Sequence, residues 1–236
     1  GDGKFIGLVS LTTDKPDALL MARGYLHYFE SFNSDRALLD SVKYYLDKTA
    51  EKNDSYSAVL IHYYYLQQDY KNIITTSSAF KKLTKLDAWT AYRVGEAFLN
   101  TQSYTEAATY FQQAVNEEKY NLDYNFKLAT AKIFSGKSEE AENLLQFIVA
   151  ENPTYHMAWN NLGVLQAGKG NYLEAEKSFT KAIQLDPDYV LARIKLAELF
   201  IATRQRTKAR EAISYLEKYY PELQELPKLT LQLRSI

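Results

Sequence analysis

Apolar residues along the chain recur three and four positions apart. In the clearest stretch they fall at Trp159, Leu162, Val164 and Leu165, then at Ala175, Phe179, Ala182 and Ile183. That spacing puts one apolar stripe on each of two successive helices. Between the two stripes stands Gly168-Lys169-Gly170-Asn171, and Gly136-Lys137-Ser138 separates an equivalent pair upstream. Both read as a glycine stop followed by an N-cap residue. Asp186-Pro187-Asp188 ends one helix and opens the next, because proline cannot continue a helix but suits a first turn. The pattern predicts pairs of helices of about 14 residues joined by short turns.

The pairs repeat. Pro153, Pro187 and Pro221 are 34 residues apart, and so are Ala107, Ala141, Ala175 and Ala209. Gly95, Ala129, Gly163 and Ala197 keep the same step, Tyr70, Tyr104 and Tyr172 lie on the same lattice, and Phe111 and Phe179 stand two steps apart. Small residues at these places leave room for a partner helix to cross closely, and the large aromatics fill the groove. A single pair cannot bury its apolar face, so neighbours must stack.

The segment Trp159-Asn160-Asn161-Leu162-Gly163, followed by Tyr172, Ala175, Phe179, Ala182 and Pro187, resembles the tetratricopeptide repeat. The resemblance covers about residues 88–221, as four clear repeats. Residues 17–87 read as two degenerate ones. Leu60, Tyr64 and Tyr70 hold the lattice there, but Ile73 stands where a small residue belongs, and Gly24 and Ala37 align only after a slip. Turn signals at Asn33-Ser34-Asp35 and Gln68-Asp69 still divide these stretches into helices. Residues 222–236, with Leu223, Leu226, Leu229 and Leu231, read as a cap on the last pair. Residues 1–16 read as an extension or the remnant of an upstream element, and the start at Gly1-Asp2-Gly3-Lys4 as a trimmed chain. The resemblance implies an all-α, right-handed superhelical solenoid, lined inside by the first helix of each pair.

Composition narrows the function classes. Net charge is −1, so no global basic field would gather nucleic acid or an anionic membrane. No run reaches the roughly 18 apolar residues of a spanning helix, and membrane insertion is not expected. Cysteine is absent, which removes thiolate chemistry and leaves the compartment open. The 20 tyrosines read as large side chains filling gaps between helices with their hydroxyls toward water.

Candidate chemistry is sparse. His27, His62 and His156 are too scattered to ligate one metal from one helix, and each reads as a surface or partly packed group. Gly136-Lys137-Ser138 ends like a phosphate loop, but Ala131 stands where that motif needs its first glycine and a helix, not a strand, precedes it. Glu117-Glu118 and Glu139-Glu140 are solvated charges at helix ends. No catalytic residue, metal site or cofactor is expected.

The resemblance implies that the second, fifth, sixth and ninth residues of each first helix face the groove. That places Trp89, Tyr92, Arg93, Phe126, Lys127, Asn160, Asn161 and Lys195 on a concave binding face, with Arg93, Lys127, Asn161 and Lys195 as a ladder of donors. Donors flanked by aromatics suit an extended peptide. The two-carboxylate clamp of chaperone-binding members of that family is missing, since Phe126 and Thr130, or Tyr92 and Glu96, stand at its places and Leu191 stands where its third repeat needs a lysine. The expected function is a non-catalytic scaffold for a partner protein or peptide. The alternatives are a structural subunit of a larger assembly such as a bacterial envelope complex, with homo-oligomerisation through the repeats around Tyr63-Tyr64-Tyr65, and the regulatory arm of an upstream enzyme.

Overall fold

The computed structural model describes residues 17–32, 36–79 and 86–236. The expectations for residues 1–16 and for the turn at Asn33-Ser34-Asp35 lie outside them. The described residues form thirteen helices and no strand. They group into two compact units, 1–120 and 121–236, and the division falls inside the 88–221 stretch.

Unit 1 holds α1 (Ala18–Phe32), α2 (Arg36–Lys48), α3 (Asp54–Leu66), α4 (Tyr70–Ala79), α5 (Ala88–Asn100) and α6 (Tyr104–Glu117). Each even-numbered helix packs back on the odd-numbered one before it, and α1, α3 and α5 touch in sequence. Unit 2 holds α7 (Leu122–Phe134), α8 (Ser138–Glu151), α9 (His156–Gly168), α10 (Tyr172–Leu185), α11 (Val190–Ala202), α12 (Arg206–Tyr219) and α13 (Leu226–Arg234). It is built the same way, with α9 against α11 and α13 lying on α11 and α12. Each unit is a stack of antiparallel helical hairpins, the all-α repeat architecture that the 34-residue period predicts. Leu226 and Leu229 of α13 are buried against α11 and α12, while Leu231 is exposed.

Five hairpin turns share one conformation. Gln68, Gln102, Gly136, Gly170 and Arg204 stand 34 residues apart and all take positive φ, between 56° and 81°. The residue after each donates its N–H back five positions, as Ser103 does to Phe98, Lys137 to Lys132 and Asn171 to Gln166. This is the Schellman closure, which satisfies helix-end carbonyls and needs one left-handed residue. Glycine meets that need without strain at 136 and 170. The expected caps at these turns differ from what forms. Ser138 is already the first residue of α8, and neither Lys137 nor Asn171 makes a side-chain cap bond. Side-chain caps form instead at first helices, where Asn53, Asp87 and Asn121 accept from Tyr56, Thr90 and Tyr124, and at α4, where Asp69 accepts from Asn72.

The crossing of each hairpin follows a size rule. Gly95 faces Phe111 and Gly163 faces Phe179, and a Cβ on either glycine would lie 2.8 and 2.7 Å from the ring. In the alternate repeats the same two places hold Ala129 with Leu145 and Ala197 with Ile213, all buried. A methyl on the first helix is thus matched by a slimmer side chain on the second. In the hairpin of α3 and α4 the sizes are exchanged, with Ile61 and Ser77 at these places, both buried, and Ile73 buried beside Ile61. That exchange accounts for the poor lattice match of residues 54–86. In α1 the fully buried small residue is Ala22, whereas Gly24 is half-buried and Ala37 is exposed.

Candidate functional site

Trp89, Tyr92 and Arg93 stand on α5, the third first-helix of unit 1. Arg93, expected as an open donor, is buried. Its guanidinium lies over the rings of Trp89 and Tyr65, and Nη2 is 3.3 Å from Glu30 Oε1. The same carboxylate oxygen is 2.6 Å from His62 Nε2. His62 meets Trp89 edge-on at 4.3 Å between centroids, and Tyr65 donates its hydroxyl to Glu96. Three helices, α1, α3 and α5, therefore close on one network of ions and rings. The reason is geometric: residues about one repeat apart, Glu30, His62 and Arg93, reach the same level of adjacent helices.

Burial governs the electrostatics here. Desolvation, then the charge of Arg93, holds His62 down to about 4, against a smaller opposing pull from Glu30. His62 is neutral at pH 7, so only one of its two ring nitrogens carries a proton. Tyr65 is pushed well above the usual tyrosine range by burial and by its bond to Glu96. Beside the network an open cavity of about 350 Å³ is lined by Arg23, Leu26, Val59, His62 and Trp89. Tyr92 turns toward its own hairpin, with its ring 5.7 Å from that of Phe111.

Unit 2 carries the remaining residues on α7, α9 and α11. Phe126 rests on Tyr155, centroids 5.3 Å apart, and the Tyr155 hydroxyl donates to Asp123 Oδ1 at 2.8 Å. This bond ties the start of α9 to the start of α7. Lys127, Asn161 and Lys195 are half-buried. Asn160 is buried, donates Nδ2 to Asn161 Oδ1 at 3.1 Å, and leaves its own Oδ1 without a hydrogen-bond partner. Lys195 Nζ is 2.8 Å from Glu198 Oε2. Trp159 and Arg193, one period apart, both donate to the carbonyl of the repeat proline, Pro153 and Pro187 respectively. Replacing Tyr155 by phenylalanine should cost about 1 kcal/mol in urea unfolding. An unchanged midpoint would show that water serves Asp123 equally well.

The second, fifth and sixth places are therefore unequal. The second is open at Trp89, Asp123 and Leu191, the fifth sinks into the stack at Asn160 and Ile194, and the sixth is half-buried except at Arg93. Sequence reasoning missed Glu30, and it read His62 as an unremarkable packed group. The signal was weak, because neither residue belongs to the repeat pattern. Among the described residues no group of three or more histidines, cysteines and carboxylates could hold a metal. No helix among them is long and apolar enough to cross a membrane.

Hairpins stacked with a 34-residue period and side chains presented on the first helices define a class of repeat scaffolds. The tetratricopeptide-repeat family profile matches residues 156–189, and the fold of the described residues is the helical-hairpin repeat fold of such proteins. Among curated proteins it is 29% identical over 159 residues to Protein O-mannosyl-transferase TMTC3 of Mus musculus, and 24% identical to its Homo sapiens counterpart. These alignments take in 61% of this chain but only 17% of the relatives' length. Among solved structures it is similar to YrrB, a TPR protein with an unusual peptide-binding site. That match has 20% identity and a TM-score of 0.66, covering 80% of this chain and 95% of YrrB. The pilF protein of Pseudomonas aeruginosa matches with 14% identity and the same TM-score of 0.66, covering 90% and 97%.

Proposed function

We propose that the protein is a non-catalytic scaffold that holds a partner protein or extended peptide against its first helices. The observation that supports this most is the half-buried row of polar groups in unit 2, Lys127, Asn161 and Lys195, on three first helices of one stack. Phe126 stands beside that row as an apolar contact. Donors held at helix spacing can bond the carbonyls of an extended chain, and pockets between them can sort its side chains. The peptide-binding site of YrrB, which shares the fold, favours the same reading. In unit 1, Arg93 serves the scaffold and positions Trp89, so the open Trp89 ring is the contact there.

The test uses peptides selected from a displayed random library on the full chain. Lys127→Ala combined with Asn161→Ala should weaken the selected peptides by about 10-fold or more, at about 1 kcal/mol for each lost hydrogen bond, with helicity unchanged by circular dichroism. Peptides that keep their affinity for this double variant, and for a Trp89→Ala variant, would remove the first-helix face from consideration.

A further inference from the structure

The second helices carry a feature that the first-helix reading does not use. Glu106, Glu140 and Glu174 stand 34 residues apart in the first turns of α6, α8 and α10. The next place on that lattice is Lys208, and the first turn of α12 has no acid. Acids suit the positive end of a helix and lysine does not. The left-handed turn place before it, glycine at 136 and 170, is Arg204 with φ 56°. Arg204, Arg206, Lys208 and Arg210 thus concentrate cations where local helix stability would choose otherwise, in a chain of net charge −1.

Lys208 reaches an open groove of about 640 Å³ along α10. Leu173, 71% exposed, lines it together with Trp159, Lys177 and Lys181. Leu173, Lys177 and Lys181 follow one another at four-residue steps, so they share one face of the helix. The rim carboxylate of Glu176 already lies 2.7 Å from Lys208 Nζ. Lys177 and Lys181 have no ion pair among the described residues. An apolar trough edged by unmatched ammonium groups complements a segment with leucine-like side chains beside carboxylates.

We propose that this groove docks an acidic amphipathic helix of a partner protein. Its apolar side chains lie against Leu173 and Trp159, and its carboxylates meet Lys177, Lys181 and Lys208. This is a second surface, formed by α10 and α12 with Trp159 of α9 in its wall, and it uses none of the residues assigned to the first-helix face. The probe is a short fluorescein-labelled helical peptide with leucines on one face and glutamates beside them, titrated into the full chain carrying Trp89→Phe so that Trp159 is the sole tryptophan. Binding should shift Trp159 emission, weaken with added salt, and fall at least about tenfold in Lys177→Glu/Lys181→Glu, whose exposed positions leave the fold intact. The proposal is overturned by failure of the peptide to bind, by equal binding of a peptide with glutamine for glutamate, or by binding that leaves Trp159 emission or the charge-reversed variant unchanged. Capture by phosphatidylserine vesicles without peptide binding would overturn it in favour of a lipid surface. Self-association lost in Lys177→Glu/Lys181→Glu, without peptide binding, would overturn it in favour of a second copy of the chain.

Discussion

Replacing Phe179 by alanine should lower the unfolding free energy by about 3–5 kcal/mol, the cost of an emptied aromatic site in a close-packed core. Phe179 is 2% exposed and fills the crossing of α9 and α10 against Gly163. The sharper form of the prediction is a cycle of variants. Gly163→Ala alone gains helix propensity worth about 1 kcal/mol but drives a methyl to 2.7 Å from the Phe179 ring. Overpacking of this kind costs about 1–3 kcal/mol. Phe179→Leu alone leaves a void. Together the two changes recreate the pairing that the protein already uses at Ala129 and Leu145, so the double variant should be more stable than the sum of the singles by about 1–3 kcal/mol. Urea unfolding of the four proteins measures this, and additivity to within about 0.5 kcal/mol would show that the crossing is not set by matched size.

Acid should weaken unit 1 as pH falls from 6.5 toward 4. His62 is held down to about 4 in the folded chain, against an ordinary value of 6.5. Between those values the unfolded chain binds the extra proton and the folded chain does not, so unfolding becomes easier as pH falls. The contribution is fully present above pH 6.5, is lost progressively down to about pH 4, and amounts to at most about 3 kcal/mol. His62→Gln removes the titrating group and should flatten this part of the curve. Superimposable pH profiles for the wild-type and His62→Gln chains would refute the assignment. Removing the charge with Arg93→Met should raise the His62 value toward 6.5, because Arg93 is the second cause holding it down. Chemical-shift titration of the histidine ring protons reads that change directly.

The two experiments probe different kinds of information. Matched pairs such as Gly163 with Phe179 and Ala129 with Leu145 are visible as a period, because each hairpin repeats the same crossing and depends on neighbours in the chain. Helix positions and hairpin turns follow from the same local rules. The chemistry on the first helices was less legible. Arg93 and Lys127 occupy equivalent lattice positions, yet Arg93 is buried between Trp89 and Tyr65 while Lys127 remains half-buried. Part of the difference lies in the repeat itself, where Trp89 precedes Arg93 by four residues and Asp123 precedes Lys127. The rest comes from Glu30 and Tyr65 on two preceding hairpins, which bring an ion and a ring to the level of Arg93.

Periodicity along the chain was enough to establish the all-α hairpin repeat, its 34-residue step and the identity of its core, since burial of one helical stripe is a local property copied from unit to unit. Which polar residues stay open to a partner could be learned only once the hairpins were stacked. Exposure depends on side chains supplied by adjacent helices some thirty residues away in sequence, and these residues do not follow the repeat.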